Sequence, residues 1–284
     1  MIDETAEEIR EMRTHSSSVV AVKAARALSG LRDQSFPTVE EYVRALERNS
    51  AALRRANPSH ATLVTTQREI VEAVEAAEPG TVEEAMAATA AAVEDVVERV
   101  ETAKHQAAAR LAERLSDGMT LLTHDYSTTV LEAVETAAER GDYLEVYVTE
   151  ARPRYLGRKT ARTLAAIDRV DATLVVDGAA GHYMAEVDEV LVGMDCVVDD
   201  VLYNRVGTYP IAAVANDAGV SVVAAGSSAK LVEAGGFRFE NDFRSSTEVI
   251  LEPPEGFGVG NPAYDATPVR LLEAIVTDEG VEKY

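Results

Sequence analysis

The sequence predicts an α/β protein in which an N-terminal all-helical domain precedes a Rossmann-like, doubly wound and mostly parallel sheet. Residues 1–117 carry apolar residues at helical spacing and no strand signal. From residue 118 onward, short apolar runs alternate with amphipathic stretches, the pattern of βαβ units. Most of these runs end in small or polar residues. Open parallel sheets bind ligands beyond the carboxyl ends of their strands, which is where these residues fall. We therefore divide the chain into a helical domain, residues 1–117, and a Rossmann-like ligand-binding domain, residues 118–284.

Turn signals divide the helical domain. Phe36-Pro37, Asn57-Pro58 and Pro79-Gly80 each interrupt a helical pattern. Thr81 with Glu84 forms a capping box that starts a helix predicted to end at Leu115. The apolar seam of this helix predicts that it packs on neighbouring helices or on a second subunit.

The second domain predicts five strands joined by helices. The strands are expected at residues 120–122, 144–148, 173–176, 189–192 and 221–225. The helices are expected at about residues 129–140, 158–167, 209–218 and 268–275.

Composition limits the function classes. The formal charge is -22 and the pI about 4.6, so the surface repels nucleic-acid backbones and anionic lipid. Acid excess with scarce Lys predicts a halophilic protein kept soluble in concentrated salt; the alternative is an ordinary acidic cytosolic protein. No apolar run reaches the length of a membrane helix, and the start resembles no signal peptide. The single cysteine, Cys196, excludes an internal disulfide, so we expect a cytoplasmic location.

The predicted strand tips carry the candidate site residues. The first tip, residues 123–127, is a small polar cluster, and Asp195 at the fourth tip is either a general acid raised in pKa by burial or a turn-forming residue. Asn204-Arg205 precedes a helix and could hold an anion, as could Lys230 after a later strand. Cys196 is interpreted as a small core residue. His182 has no companion ligands at metal spacing, so we expect no metal site and no cofactor.

Five ordered segments closely resemble one family, the alpha, beta and delta subunits of translation initiation factor 2B. They are LLTHDYSTTVLEAV, VYVTEARPRYLGRKTA, VVDGAAGHYM, LVGMDCVVDDVLYNRVGTYPIA and NPAYDATPVRLLEAIVTDEG. The family also includes archaeal ribose-1,5-bisphosphate isomerases and methylthioribose-1-phosphate isomerases. The resemblance covers residues 118–280 strongly and the N-terminal helices loosely. It implies a helical domain before a Rossmann-like domain, and dimers that assemble further.

The resemblance also assigns roles to residues. In the family's isomerases, a cysteine after the Thr-His of the first tip acts on the C2 proton of the sugar, and an Asp at the Gly-x-Asp tip is the acid. This chain keeps the acid as Asp195 but has Asp125 in place of the cysteine, and its early phosphate motif departs from Arg-Gly-Ala. Asn204-Arg205 matches the family's Asn-Lys pair, and Lys230 its late phosphate lysine. The predicted ligand- and phosphate-binding residues are Arg13, Ser16, His124, Tyr126, Ser127, Asn204, Arg205 and Lys230.

Three functions compete at this point. Because both the cysteine and the glycine of the early phosphate motif are missing, the leading interpretation is a regulatory initiation factor 2B subunit-like protein without efficient catalysis. It would bind a phosphorylated sugar or nucleoside monophosphate as a homodimer or larger oligomer, with a translation factor as partner and without nucleic acid or membrane. The alternative is a ribose-1,5-bisphosphate isomerase with Asp195 as acid and Asp125 as base. The third is a scaffold with a vestigial pocket.

Overall fold

The computed structural model describes residues 2–11, 17–232, 239–253 and 255–284. The chain separates into two compact units, residues 1–102 and residues 103–284. One long helix, Val82–Ala112, contains the division between them. The domain boundary proposed from the sequence, after residue 117, stays a prediction.

The first unit is helical throughout its described elements. The helices are α1 (Ile2–Arg10), α2 (Ser17–Leu28), α3 (Val39–Ala56), α4 (Ala61–Ala76) and the long α5 (Val82–Ala112). The predicted start of α5 is confirmed, because the Thr81 hydroxyl accepts from the Glu84 amide at 3.1 Å. The Glu84 carboxylate in turn accepts from the Gly80 amide at 2.8 Å. Leu28, Leu46, Leu53 and Ile70 are fully buried in the core of this unit.

The second unit is built on a seven-stranded sheet, which confirms the predicted fold class. The strands of the unit are β1 (Thr120–Thr123), β2 (Leu144–Thr149), β3 (Val170–Val175), β4 (Glu189–Gly193), β5 (Cys196–Val198), β6 (Val201–Arg205), β7 (Ser221–Ala225), β8 (Tyr264–Pro268), β9 (Ala274–Val276) and β10 (Val281–Lys283). The helices are α6 (Thr128–Arg140), α7 (Gly157–Leu164), α8 (Ala180–Tyr183) and α9 (Thr208–Ala218). In the large sheet the order is β10-β9-β7-β4-β1-β2-β3, and within the described residues only β10 runs antiparallel.

The strand order reverses beside β1. The chain moves from β1 to β2 and β3 on one side, and then crosses to β4 on the other side of β1. Ligands in open α/β sheets bind at such a switch point, outside the carboxyl ends of the strands. The tips of β1 and β4 are therefore the place to look for a site.

Alternating side chains of the central strands pack into two hydrophobic cores, one on each face of the sheet. Leu121 packs with α6 and the end of α5, whereas its neighbour Leu122 packs against α9. Both leucines are fully buried. A sheet covered on both faces needs such nearly continuous apolar strands, as the sequence provides. In the described part of the chain, none of the helices has the length and apolar character needed to cross a membrane.

A second, antiparallel sheet of β5, β6 and β8 was not predicted. The helix predicted at residues 268–275 is wrong: Tyr264–Pro268 is β8, Val269–Leu271 is a 3-10 turn, and Ala274–Val276 is β9. Pairing of β8 with β6, and of β9 with β7, overrides the helix-like apolar spacing of this segment. The β5-β6 hairpin matters for function because β6 ends at Arg205.

Candidate functional site

Two carboxylates lie at the switch point, one after each of its strands. Asp125 follows β1 and is 8% exposed, with a left-handed φ of 64° that Asp tolerates better than most residues. Asp195 follows β4. Its amide donates to the Tyr203 carbonyl at 3.0 Å, which ties this tip to β6. The sheet topology therefore brings together the two residues that the sequence analysis assigned as base and acid.

Arg205 links these two carboxylates. Its Nε lies 3.5 Å from Asp125 Oδ2 and 3.8 Å from Asp195 Oδ2, and its side chain is only 15% exposed. The guanidinium also lies over the ring of Tyr264, 4.8 Å from the centroid. Burial acts to lower the pKa of Arg205. Tyr264, Asp195 and Asp125 together raise that pKa above its ordinary value, so the cation persists between the two acids.

Lys230 lies on the Asp195 side of this cluster. It is 7% exposed, and its Nζ donates to the Met194 carbonyl at 2.8 Å. Burial lowers the pKa of this lysine, and the neighbouring Asp195 partly opposes that shift. That Lys230 binds a phosphate of a ligand, as the resemblance implied, stays a prediction.

His124 is held inside the first tip. Its Nδ1 lies 2.6 Å from Thr149 Oγ1, and its Nε2 lies 2.8 Å from the Val206 carbonyl. Because a carbonyl only accepts, Nε2 carries a hydrogen and donates it to the Val206 carbonyl. Gly207 packs so closely that an added Cβ would lie 2.6 Å from the imidazole. These contacts make His124 a residue that positions the loop bearing Asp125, and its contact with a ligand stays a prediction.

The other predicted ligand residues have structural contacts of their own. Ser127 caps α6 by accepting from the Val130 amide at 3.3 Å. The ring of Tyr126 lies under the Lys159 ammonium, 3.9 Å from centroid to nitrogen. The Asn204 amide donates to Thr208 Oγ1 at 3.0 Å. Arg13 and Ser16 lie outside the described residues.

Two further aspartates of the matched segments support loops. Asp177 accepts from the backbone amides of Ala151 and Arg152, at 2.7 and 2.8 Å, and so fixes the segment after β2. Asp265 lies on β8, just before the segment that the sequence analysis expected to form a helix. Its carboxylate caps α9, accepting from the amides of Gly207 at 2.7 Å and Tyr209 at 3.0 Å.

Cys196 is a core residue. Its side chain is fully buried on β5, and burial raises the pKa of the thiol well above its ordinary value. A thiol held protonated and shielded from solvent cannot take a proton from a sugar. Cys196 therefore does not act as a base at this site, and the role of Asp125 as the base stays a prediction.

A small pocket, partly open to solvent, lies against Asp125. We call it the arginine pocket, after the four arginines in its lining, which are Arg152, Arg154, Arg205 and Arg244. The sequence analysis missed Arg154 and Arg244 as site residues. Arg154 belongs to the quoted ARPRYLG motif, whose arginine pair was the available signal. Arg244 lies in a loop far along the chain, where no pattern marked it.

The fold and the cluster define an α/β protein with two carboxylates and two buried cationic side chains at the switch point of a parallel sheet. Its sequence matches the Initiation factor 2 subunit family over residues 13–283, and the chain belongs to that family. A protein of Haloferax volcanii named ribose 1,5-bisphosphate isomerase is 34% identical, over 97% of this chain and 87% of its own length. A protein of Haloterrigena turkmenica with the same name is 33% identical, over 97% and 88%. The fold matches a solved translation initiation factor eIF-2B of Pyrococcus horikoshii, with a TM-score of 0.83 at 24% identity, covering 99% of this chain and 96% of that one.

These relatives overturn the leading interpretation of the sequence. Four further relatives, at 29% to 30% identity over nearly the whole chain, carry the name ribose 1,5-bisphosphate isomerase as well. The expectation of a regulatory subunit-like protein without efficient catalysis is therefore wrong. It rested on the missing thiol at position 125 and on the missing glycine of the early phosphate motif, and it did not foresee that one buried arginine contacts both carboxylates.

Proposed function

We propose that this protein is an aldose-ketose isomerase that converts ribose 1,5-bisphosphate into ribulose 1,5-bisphosphate. The observation that carries the proposal is the pair of carboxylates, Asp125 and Asp195, held on one buried guanidinium at the switch point. The names of the relatives supply the substrate. The alternative stated from the sequence thereby becomes the main interpretation.

The chemistry follows from the substrate. A phosphate on the anomeric oxygen prevents free ring opening, so the bond between C1 and the ring oxygen must break with a proton delivered to that oxygen. Asp195 gives this proton. Asp125 removes the C2 proton, and the electrons of the C2–H bond form a C1=C2 double bond. Proton return to C1 and loss of the C2 hydroxyl proton give the ketone, so the atoms of substrate and product balance.

Arg205 reduces the electrostatic repulsion that a second carboxylate brings to this site. Two carboxylates that converge on a bisphosphate repel it and each other unless a cation separates them or one is protonated. Arg205 provides that cation on the side shared by both acids. Lys230 adds a second positive group beside Asp195. Together these charges allow a doubly phosphorylated sugar to approach a site with two acids.

Turnover tests the proposal. The protein is incubated with ribose 1,5-bisphosphate in concentrated KCl, and ribulose 1,5-bisphosphate is measured by chromatography. Loss of the acid or base, in Asp195→Asn or Asp125→Asn, should lower kcat by at least about 100-fold, the usual contribution of a positioned acid or base. The matched control, Asp171→Asn, removes an exposed carboxylate on β3 and should leave kcat unchanged. No product from the unaltered protein would refute the proposal.

The proposed function includes an oligomeric state and a cellular location. We expect a homodimer in the cytoplasm, since the resemblance implies dimers and a single buried cysteine suits a reducing compartment. Light scattering after size exclusion in KCl measures the mass, and a monomer at micromolar concentration would contradict the dimer.

A further inference from the structure

The arginine pocket concentrates positive charge in a strongly acidic protein. Its lining contains four arginines and one carboxylate, that of Asp125, although the chain as a whole has a formal charge of -22. Arg154 and Arg244 come from loops about 90 residues apart in sequence, so no local pattern explains their meeting. Like charges gathered at a concave surface repel one another, and an anion in the cavity relieves that repulsion.

Arg154 experiences this repulsion directly. Burial lowers the pKa of its guanidinium, and the nearby charges of Arg244 and Arg205 lower it further. Glu248 and Asp125 oppose this effect without reversing it. A guanidinium in such surroundings gains more than a surface arginine does from a dianion placed against it.

The remaining pocket residues are held in position before any ligand arrives. The Arg244 guanidinium contacts Glu248 through Nε at 3.0 Å and Nη2 at 2.6 Å. Asn261 donates to the same carboxylate at 3.2 Å. The segment that carries Arg154 is fixed where Asp177 accepts from two backbone amides. A preorganised cation pair binds an anion with little ordering cost.

The two ends of the cluster are distinct. Lys230 neighbours Asp195 and Cys196, whereas Arg154 neighbours Asp125 and Arg244. Arg205 touches both acids and lies between these ends. A sugar with two phosphates could therefore place one at the Lys230 end and the other in the arginine pocket, with its reacting carbons at the two acids.

We propose that Arg154 and Arg244 form a second phosphate subsite, which makes the enzyme select sugar bisphosphates over sugar monophosphates. The inference rests on the proposed function for the identity of the sugar, but the subsite is tested by binding alone. Two parallel N–H···O bonds from a guanidinium suit a phosphate, so arginine is the appropriate residue here.

Titration calorimetry with ribose 1,5-bisphosphate, ribose 1-phosphate and ribose 5-phosphate tests the subsite. Arg154→Gln should weaken the bisphosphate about 10- to 100-fold, and Arg154→Lys less, because the charge remains while the planar fork is lost. The monophosphate that lacks the group held by Arg154 should bind Arg154→Gln as it binds the unaltered protein. Arg162→Gln, which removes an exposed arginine of α7, is the matched control and should change nothing.

Several results would overturn the subsite. They are equal bisphosphate affinity for Arg154→Gln and the unaltered protein, equal losses for all three sugars, or no bisphosphate binding by the unaltered protein. Arg244→Gln, checked for native circular dichroism, should reproduce the loss seen with Arg154→Gln. Binding that depends on Arg154 without formation of ribulose 1,5-bisphosphate would refute the proposed function and support the subsite. A turnover rate that is the same in Arg154→Gln and the unaltered protein would support the proposed function and refute the subsite.

Discussion

Replacing Arg205 with methionine should reveal the electrostatic repulsion between the two carboxylates at the switch point. Methionine keeps much of the side-chain volume against Tyr264 but removes the charge that Asp125 and Asp195 share. At contact distances of 3.5 and 3.8 Å, each pair gains roughly 4 to 5 kcal/mol of Coulomb energy at an effective dielectric constant of about 20. Burial of the three charges offsets much of that gain.

The measured loss should therefore be smaller than the Coulomb sum. Removing one partner of a buried ion pair costs about 3 to 5 kcal/mol, and we expect Arg205→Met to lower the free energy of unfolding by that amount near pH 8. Urea unfolding followed by circular dichroism at fixed KCl measures it. The double variant Arg205→Met/Asp125→Asn leaves one carboxylate and should recover about half of the loss, as coupled sites do.

The pH dependence gives the sign of the effect. In Arg205→Met, the two carboxylates lose the cation that they share, so repulsion between them raises the folded-state pKa of one of them above its unfolded value of about 3.9. A raised folded pKa contributes stability below the unfolded pKa, and that contribution is lost as the pH rises through the folded pKa. The stability difference from the unaltered protein should thus be small near pH 4 and grow toward neutral pH. A loss below about 1 kcal/mol, or one independent of pH, would refute the assigned role of Arg205.

Three other predictions follow from the site and its surroundings. Cys196 should not react with a thiol reagent at pH 8 until the protein is unfolded, because burial raises its pKa; rapid labelling of the native protein would contradict this. Gly207→Ala should destabilise the protein by about 2 kcal/mol more than Gly141→Ala. Both glycines have φ near 110°, but only at position 207 would the new Cβ collide with His124. Equal losses of stability in thermal unfolding would contradict this prediction. Asp125→Cys should have isomerase activity that iodoacetamide abolishes. The unaltered protein, whose one thiol is buried, should keep its activity in that reagent. A fully inactive variant would show that a thiol cannot act as the base in this pocket.

The sequence predicted the part of the site that depends on strand order. Apolar runs that end in polar tips located Asp125 and Asp195, and the parallel sheet then placed β1 beside β4. This worked because the carboxyl ends of neighbouring parallel strands meet at one edge of a sheet, whatever separates them in sequence.

The part that depends on loops was not predictable in the same way. The β5-β6 hairpin is made of strands only three and five residues long, and pairing with β8 stabilises it from far along the chain. That pairing carries Arg205 to the two acids. Arg154 and Arg244 meet only through tertiary folding, so neither could be joined to the site from spacing alone.

Hydrogen exchange at the sugar carbons tests the role of Asp125 most directly. With ribose 1,5-bisphosphate in deuterium oxide, the unaltered protein should form ribulose 1,5-bisphosphate that carries solvent deuterium at C1, because the proton taken from C2 passes through an exchangeable carboxyl group. Asp125→Asn should still bind the bisphosphate in calorimetry, but it should form product and exchange hydrogen at least about 100-fold more slowly. Turnover by Asp125→Asn at the rate of the unaltered protein would contradict the assignment of this carboxylate as the base.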